Sequence, residues 1–155
     1  MDAPTLETPS AAHPAVVLLP VAFLVHLAEE WFGGFLDWTP LALGYDVSAV
    51  RFVIINATAF VVFLIGAILA IRNPRMAWFS VSLASLLGLN GVLHTLATVG
   101  FGLYSPGVIT GLLLYIPLSV IILRLSASRL SAGTFRGAVV LGVVLHGIVP
   151  ILAFV

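Results

Sequence analysis

Residues 14–32 read PAVVLLPVAFLVHLAEEWF. A hydrocarbon core of about 30 Å needs roughly 20 apolar residues of helix, and this stretch supplies them. It also holds His26, Glu29 and Glu30 in its second half. An acidic residue at mid-bilayer costs about 2.5–3.5 kcal/mol on insertion scales. A chain that accepts that cost twice in one helix points to a purpose for those side chains.

Four further stretches have similar length and apolarity, at 51–71, 76–101, 107–125 and 135–155. Turn signals separate them: Gly33-Gly34 with Pro40 and Gly44, Arg72-Asn73-Pro74-Arg75, Tyr104-Ser105-Pro106-Gly107, and Ser126 to Gly133. The expected fold is all-α, a polytopic membrane bundle of about five transmembrane helices. Residues 1–13, polar and rich in Pro, Thr and Ala, are expected to be a disordered tail, and 14–155 a single domain. The tail lacks the Arg or Lys that opens a secretory signal, so the first helix is expected to be retained.

Composition agrees. Hydrophobic residues make up 61% of the chain and charged residues 8%, with a mean hydropathy of +1.23. Soluble domains carry about a quarter charged residues. Such a chain cannot cover its own surface in water, so lipid is its solvent. The six basic residues are all Arg, at 51, 72, 75, 124, 129 and 136. No basic patch suggests nucleic acid. With no Cys, thiolate chemistry and thiolate metal sites are excluded. With five spans, the N-terminus, the 72–75 turn and the 124–136 loop share one side. That side holds five of the six Arg and is expected to be cytoplasmic, which puts the C-terminus outside the cell membrane. The 33–50 loop, with Trp38, Tyr45, Asp37 and Asp46, fits an interfacial aromatic belt with a short helix lying on the bilayer. Paired glycines (88 and 91, 107 and 111, 133 and 137, 142 and 147) read as close helix packing.

At about 100° per residue, Glu29 lies about 60° to one side of His26 and Glu30 about 40° to the other. All three share one face, and the His26/Glu30 pair can grip one cation. A nearby cation would also offset the repulsion between the two acids. The competing reading places both Glu at a hydrated interface. The third span repeats the pattern with Asn90 and His94, and the fifth holds His146. Taken singly, an Asn/His pair is as often helix-helix glue, and a lone histidine more often a satisfied core residue. Depth joins them. All lie in the outward halves or the middle of outward-running helices, with Asn56 and Thr110 starting the second and fourth spans at the same level. One outer-leaflet site can collect them.

The motifs His26-x-x-Glu29-Glu30, Asn90-x-x-x-His94 and Tyr104-x-Pro106-Gly107 resemble the signatures of the HXXEE-motif family of integral membrane proteins, over nearly the whole chain. The resemblance implies an enzyme of unassigned reaction and supports the choice of residues. His146 lies outside those motifs.

Imidazole and carboxylate suit a divalent metal, Zn first and Fe second, as one or two ions. The expected ligands are His26, Glu30, His94 and His146, with Glu29 as a further ligand, a bridge, or the general base to a metal-bound water. Asn90 is expected to orient a ligand or bond the substrate, and Tyr104 to donate a proton or hydrogen bond near the mouth. The expected function is a membrane-embedded metal-dependent enzyme, a hydrolase before an oxidoreductase. Its expected partners are membrane lipid and an apolar small-molecule substrate from the outer leaflet, and a homo-oligomer is compatible with the surface. Two alternatives compete. An ion, proton or small-solute transporter would need polar groups through both leaflets, yet the inner one offers only Ser80, Ser82, Ser85 and Ser119. An accessory subunit would turn His26, Glu29 and Glu30 outward to a partner helix.

Overall fold

The computed structural model describes residues 12–154. Six helices follow one another: α1 Leu18–Phe32, α2 Phe35–Leu43, α3 Ala49–Arg72, α4 Trp78–Phe101, α5 Val108–Ala127 and α6 Ala132–Phe154. All but α2 are long and apolar enough to cross a membrane, counting the 3₁₀ turns Pro14–Val17 and Pro74–Met76 that lead into α1 and α4. The five expected spans are all present, with ends moved by a few residues. The 33–50 loop does contain a short helix, α2, bounded by two left-handed glycines, Gly34 at φ 80° and Gly44 at φ 75°. A side chain there would be strained, so glycine fixes both ends of α2.

Of the tail expected over 1–13, residues 1–11 lie outside the described residues. Ala12 and His13 belong to the bundle. Ala12 N–H donates to the Ala70 carbonyl at 3.0 Å, and His13 Nδ1 accepts from Ala15 N–H at 3.1 Å, capping the first turn.

Helix α4 is the central post, packed against α3, α5 and α6. Its N-terminal half is lined with small residues, so neighbours come close. Ser82 Oγ donates to the Ala138 carbonyl of α6 at 2.9 Å, and Ser80 meets Ser126 of α5 at 3.4 Å. Gly91 crosses Gly111 so tightly that a Cβ on Gly91 would stand 2.8 Å from the Gly111 carbonyl oxygen. Of the glycines expected to pack, Gly133, Gly137 and Gly147 face open space instead.

The first turns of α5 carry an irregularity. Gly111–Tyr115 forms a π-helical turn before the regular helix resumes at Ile116. Such one-turn insertions rotate the side chains on either side of them and cluster at functional sites. Here the insertion lets Thr110 and Tyr115 both face α1.

Candidate metal centre

The helical spacing of His26 and Glu30 puts both on the α1 face that meets α4 and α5. His26 is 2% exposed, Glu30 8% and His94 7%. Glu30 Oε1 lies 3.5 Å from His26 Nε2 and 3.4 Å from His94 Nε2. One ligand atom from each of the three residues falls within 4.8 Å of the others. The accessory-subunit reading needs an outward-facing cluster, and these side chains are inside.

Both imidazoles are held by their far nitrogens. His26 Nδ1 is 2.7 Å from Thr110 Oγ1, and His94 Nδ1 is 3.0 Å from Ser105 Oγ. The hydrogen-bond pattern assigns one tautomer. Thr110 Oγ1 bonds Glu29 Oε2, and a carboxylate only accepts, so the threonine proton goes there. The other acceptor in reach, the Gly107 carbonyl, is more distant at 3.4 Å. His26 Nδ1 must therefore donate to Thr110, which leaves Nε2 of a neutral ring as a bare lone pair. That buried nitrogen has no hydrogen-bond partner. Its lone pair and the Glu30 oxygen repel at 3.5 Å unless a proton or a metal cation is shared between them.

The donor set fits a cation. Ligands at about 2.0–2.2 Å from a tetrahedral ion stand roughly 3.4 Å apart, which matches both nitrogen-to-oxygen separations. A second partner on each ring's far nitrogen is the usual support for a metal-bound histidine.

The two adjacent glutamates part company. Glu29 accepts from Tyr104 OH at 2.6 Å, Ile109 N–H at 3.0 Å, Thr110 N–H at 2.7 Å and the Thr110 hydroxyl. It serves as the cap of α5, whose own N-cap residue, Gly107, has no side chain to offer. The expectation of Glu29 as ligand, bridge or base thus meets a carboxylate whose two oxygens are already committed, outside the three-residue cluster.

Tyr104 sits in the turn between α4 and α5. Its pKa is pushed up to about 12, by burial first and then by the hydrogen bond to Glu29 and its charge. In this structure the phenol donates its hydrogen bond to Glu29 Oε1.

Asn90 and His146 take a different place. Both line a cavity of about 630 Å³ that also reaches His26, Glu30 and His94. Asn90 Oδ1 is buried without a hydrogen-bond partner. His146 is half-buried on α6 and lies outside the three-residue cluster.

Four further residues build the site, of which the sequence reading brings only Thr110 to its depth and gives none a role in it. Thr110 and Ser105 orient the imidazoles. Gly107, at φ 107°, lies against both rings, and a Cβ there would come within 2.7 Å of His26 Cε1 and 2.9 Å of His94 Cε1. Tyr115, 1% exposed, stacks on His26 with ring centroids 4.3 Å apart. Depth marks Thr110, and Gly107 falls in the Tyr104-x-Pro106-Gly107 motif. Nothing in the pattern marks Tyr115, because the π turn that aims it has no sequence signature.

No curated protein and no solved structure matches the chain. A family model described as "protein of unknown function with HXXEE motif" matches residues 17–122, which carry α1 with its His26, Glu29 and Glu30, then His94, the Tyr104–Gly107 turn and Thr110. The chain belongs to that HXXEE family.

Proposed function

We propose that this protein is a membrane-embedded metal-dependent enzyme that binds one divalent cation through His26, Glu30 and His94. The observation that carries the reading is the convergence of His26 Nε2, which has no hydrogen-bond partner, and His94 Nε2 on Glu30 Oε1 at 3.5 and 3.4 Å, with the His26 ring held from behind by the Glu29–Thr110 relay. Two imidazoles and one carboxylate are the ligand sets of both hydrolytic zinc and non-haem iron centres. Hydrolysis ranks first, because three protein ligands leave a position for a water, whose pKa a zinc ion lowers to about 7. Glu29 and Tyr104 act as positioning residues, through Thr110 and the α5 N-terminus.

The substrate is an apolar molecule reaching the centre from within the bilayer, through the cavity beside it. With the arginine-rich turns in the cytoplasm, the N-terminus is inside, the C-terminus is outside, and the centre lies in the outer half of the membrane.

The test is metal content. The detergent-purified protein should carry close to one equivalent of zinc or iron by elemental analysis, and His26→Ala and His94→Ala should each lose it. Preparations of the unmodified protein that never hold or take up metal would sink the reading.

A further inference from the structure

The cavity next to the centre has a character of its own. Three helix segments form most of its wall: the N-terminal half of α3 and the C-terminal halves of α4 and α6, with α2 over one side. Leu96, Phe101 and Val149 line it and are also 59, 49 and 38% exposed. On a membrane-embedded surface, that exposure is to lipid. The mouth therefore opens sideways into the bilayer, and the metal ligands lie deeper.

Its volume, about 630 Å³, falls within the roughly 300–1,000 Å³ of clefts that enclose one small molecule. One alkyl or isoprenoid chain with its head suits that space. The wall also restricts the head. A phosphate is usually met by Arg or Lys donors, but the chain has no Lys and, among the described residues, no Arg lines the cavity. Such a head would have only the proposed cation to meet it, at the position that hydrolysis leaves for water. A cationic head would compete with a bound metal for Glu30, the wall's only carboxylate among the described residues. What the wall offers instead is neutral polar groups, with Trp38 Nε1, Tyr115 OH and Asn90 Oδ1 buried there without a hydrogen-bond partner. Asn90, one helical turn before His94, lines the cavity with an Oδ1 that no protein group satisfies. A buried acceptor of this kind costs free energy until a donor reaches it.

We propose that this cavity takes a single-chain amphiphile with an uncharged head bearing a hydroxyl or amide N–H, which donates to Asn90, the chain lying between α3 and α6. As a substrate class this rests on the metal-dependent reading above. As a binding property it is tested apart from it.

The experiment uses the full chain in phosphatidylcholine nanodiscs and a diazirine-bearing hexadecanol as photoprobe. Peptide mapping should place the label on cavity residues of α3, α4 and α6. Unlabelled hexadecanol and hexadecanamide should compete. Hexadecylphosphocholine, hexadecyltrimethylammonium and dipalmitoylglycerol should not. Asn90→Ala should weaken probe binding about tenfold, the worth of one hydrogen bond. Ala59→Phe, which fills the α3 wall, should abolish cavity labelling in a protein that still elutes as a folded species.

Label spread over the whole lipid-facing surface, or equal competition by the charged or two-chain probes, overturns the proposal. So does Asn90→Ala binding like the unmodified protein. Metal is measured on the same samples. Metal present with diffuse labelling removes the ligand class and leaves the metal reading standing. Cavity labelling in a protein that never takes up metal does the reverse.

Discussion

Glu29 and Glu30 are neighbours in sequence, yet their carboxylates serve different parts of the fold. Glu29 closes the N-terminus of α5 through Tyr104, Ile109 and Thr110, while Glu30 faces the His26 and His94 imidazoles. The rotation of about 100° from one helix residue to the next turns the two carboxylates to different neighbours and lessens their repulsion. Each then meets its own donors, and the apolar helix carries both at reduced cost.

This division predicts different phenotypes for two similar substitutions. If His26, Glu30 and His94 bind the proposed cation, Glu30→Gln should abolish stoichiometric metal. Glu29→Gln should keep measurable metal but loosen α5, because an amide oxygen is a weaker partner for the α5 donors than a carboxylate. The expected loss for Glu29→Gln is about 1–3 kcal/mol of stability, read as a lower midpoint in thermal unfolding followed by intrinsic fluorescence. Equal metal loss in both variants would show that the division is wrong.

The relay from Glu29 through Thr110 to His26 gives a second prediction. Thr110→Val keeps the shape and removes the hydroxyl, so His26 loses the acceptor that fixes its Nδ1 proton. Partners of this kind are worth about 10–100-fold in metal affinity. Competition with a chelator of known affinity should show a drop of that size. Thr110→Ser, which restores the hydroxyl, should recover most of it. Failure of Ser to rescue would assign the effect to packing.

The fold was legible because hydrophobic length is a strong signal. The five apolar runs and their Pro and Gly turns leave little room for another architecture in lipid. Part of the site was legible too, since the 3.6-residue period put His26 and Glu30 on one face and depth brought His94 to it. The bonding of Glu29 to α5 was not legible, for a physical reason. Sequence spacing says which residues share a helix face, and Glu29 does share it within about 60°. It cannot say that α5 arrives with bare N–H groups needing an acceptor. Tyr115 was invisible because a π turn shifts the register by one residue.

Tyr104 offers a titration. In the folded protein its pKa is pushed up to about 12, from an ordinary value of 10.0. A raised folded pKa means that the contribution to stability is fully present below pH 10.0. It declines as the pH climbs through about 12. In an ultraviolet phenolate titration, the difference between the unmodified protein and Tyr104→Phe should be one tyrosine ionising late, near pH 12. In Glu29→Gln that step should move down, because the charge that opposes the phenolate is gone. A Tyr104 step at its ordinary position in the unmodified protein would contradict the hydrogen bond.

The most local test concerns two glycines. Gly107 stands at φ 107° with both imidazoles against it, and an added Cβ would meet His26 Cε1 at 2.7 Å and His94 Cε1 at 2.9 Å. Gly107→Ala therefore pays backbone strain of about 1–2 kcal/mol and also pushes both rings away from Glu30. Metal binding should be lost while the helices, judged by far-ultraviolet circular dichroism, remain. Gly147 on α6 has nothing within 4 Å of its added Cβ, and Gly147→Ala should raise stability by up to about 1 kcal/mol through helix propensity. It should leave metal content unchanged. If Gly107→Ala retained full metal, the turn after Tyr104 would be a mere connection. The imidazoles would then owe their placement to α1 and α4 alone, and the short Thr110 contact would be a consequence of the site rather than a cause of it.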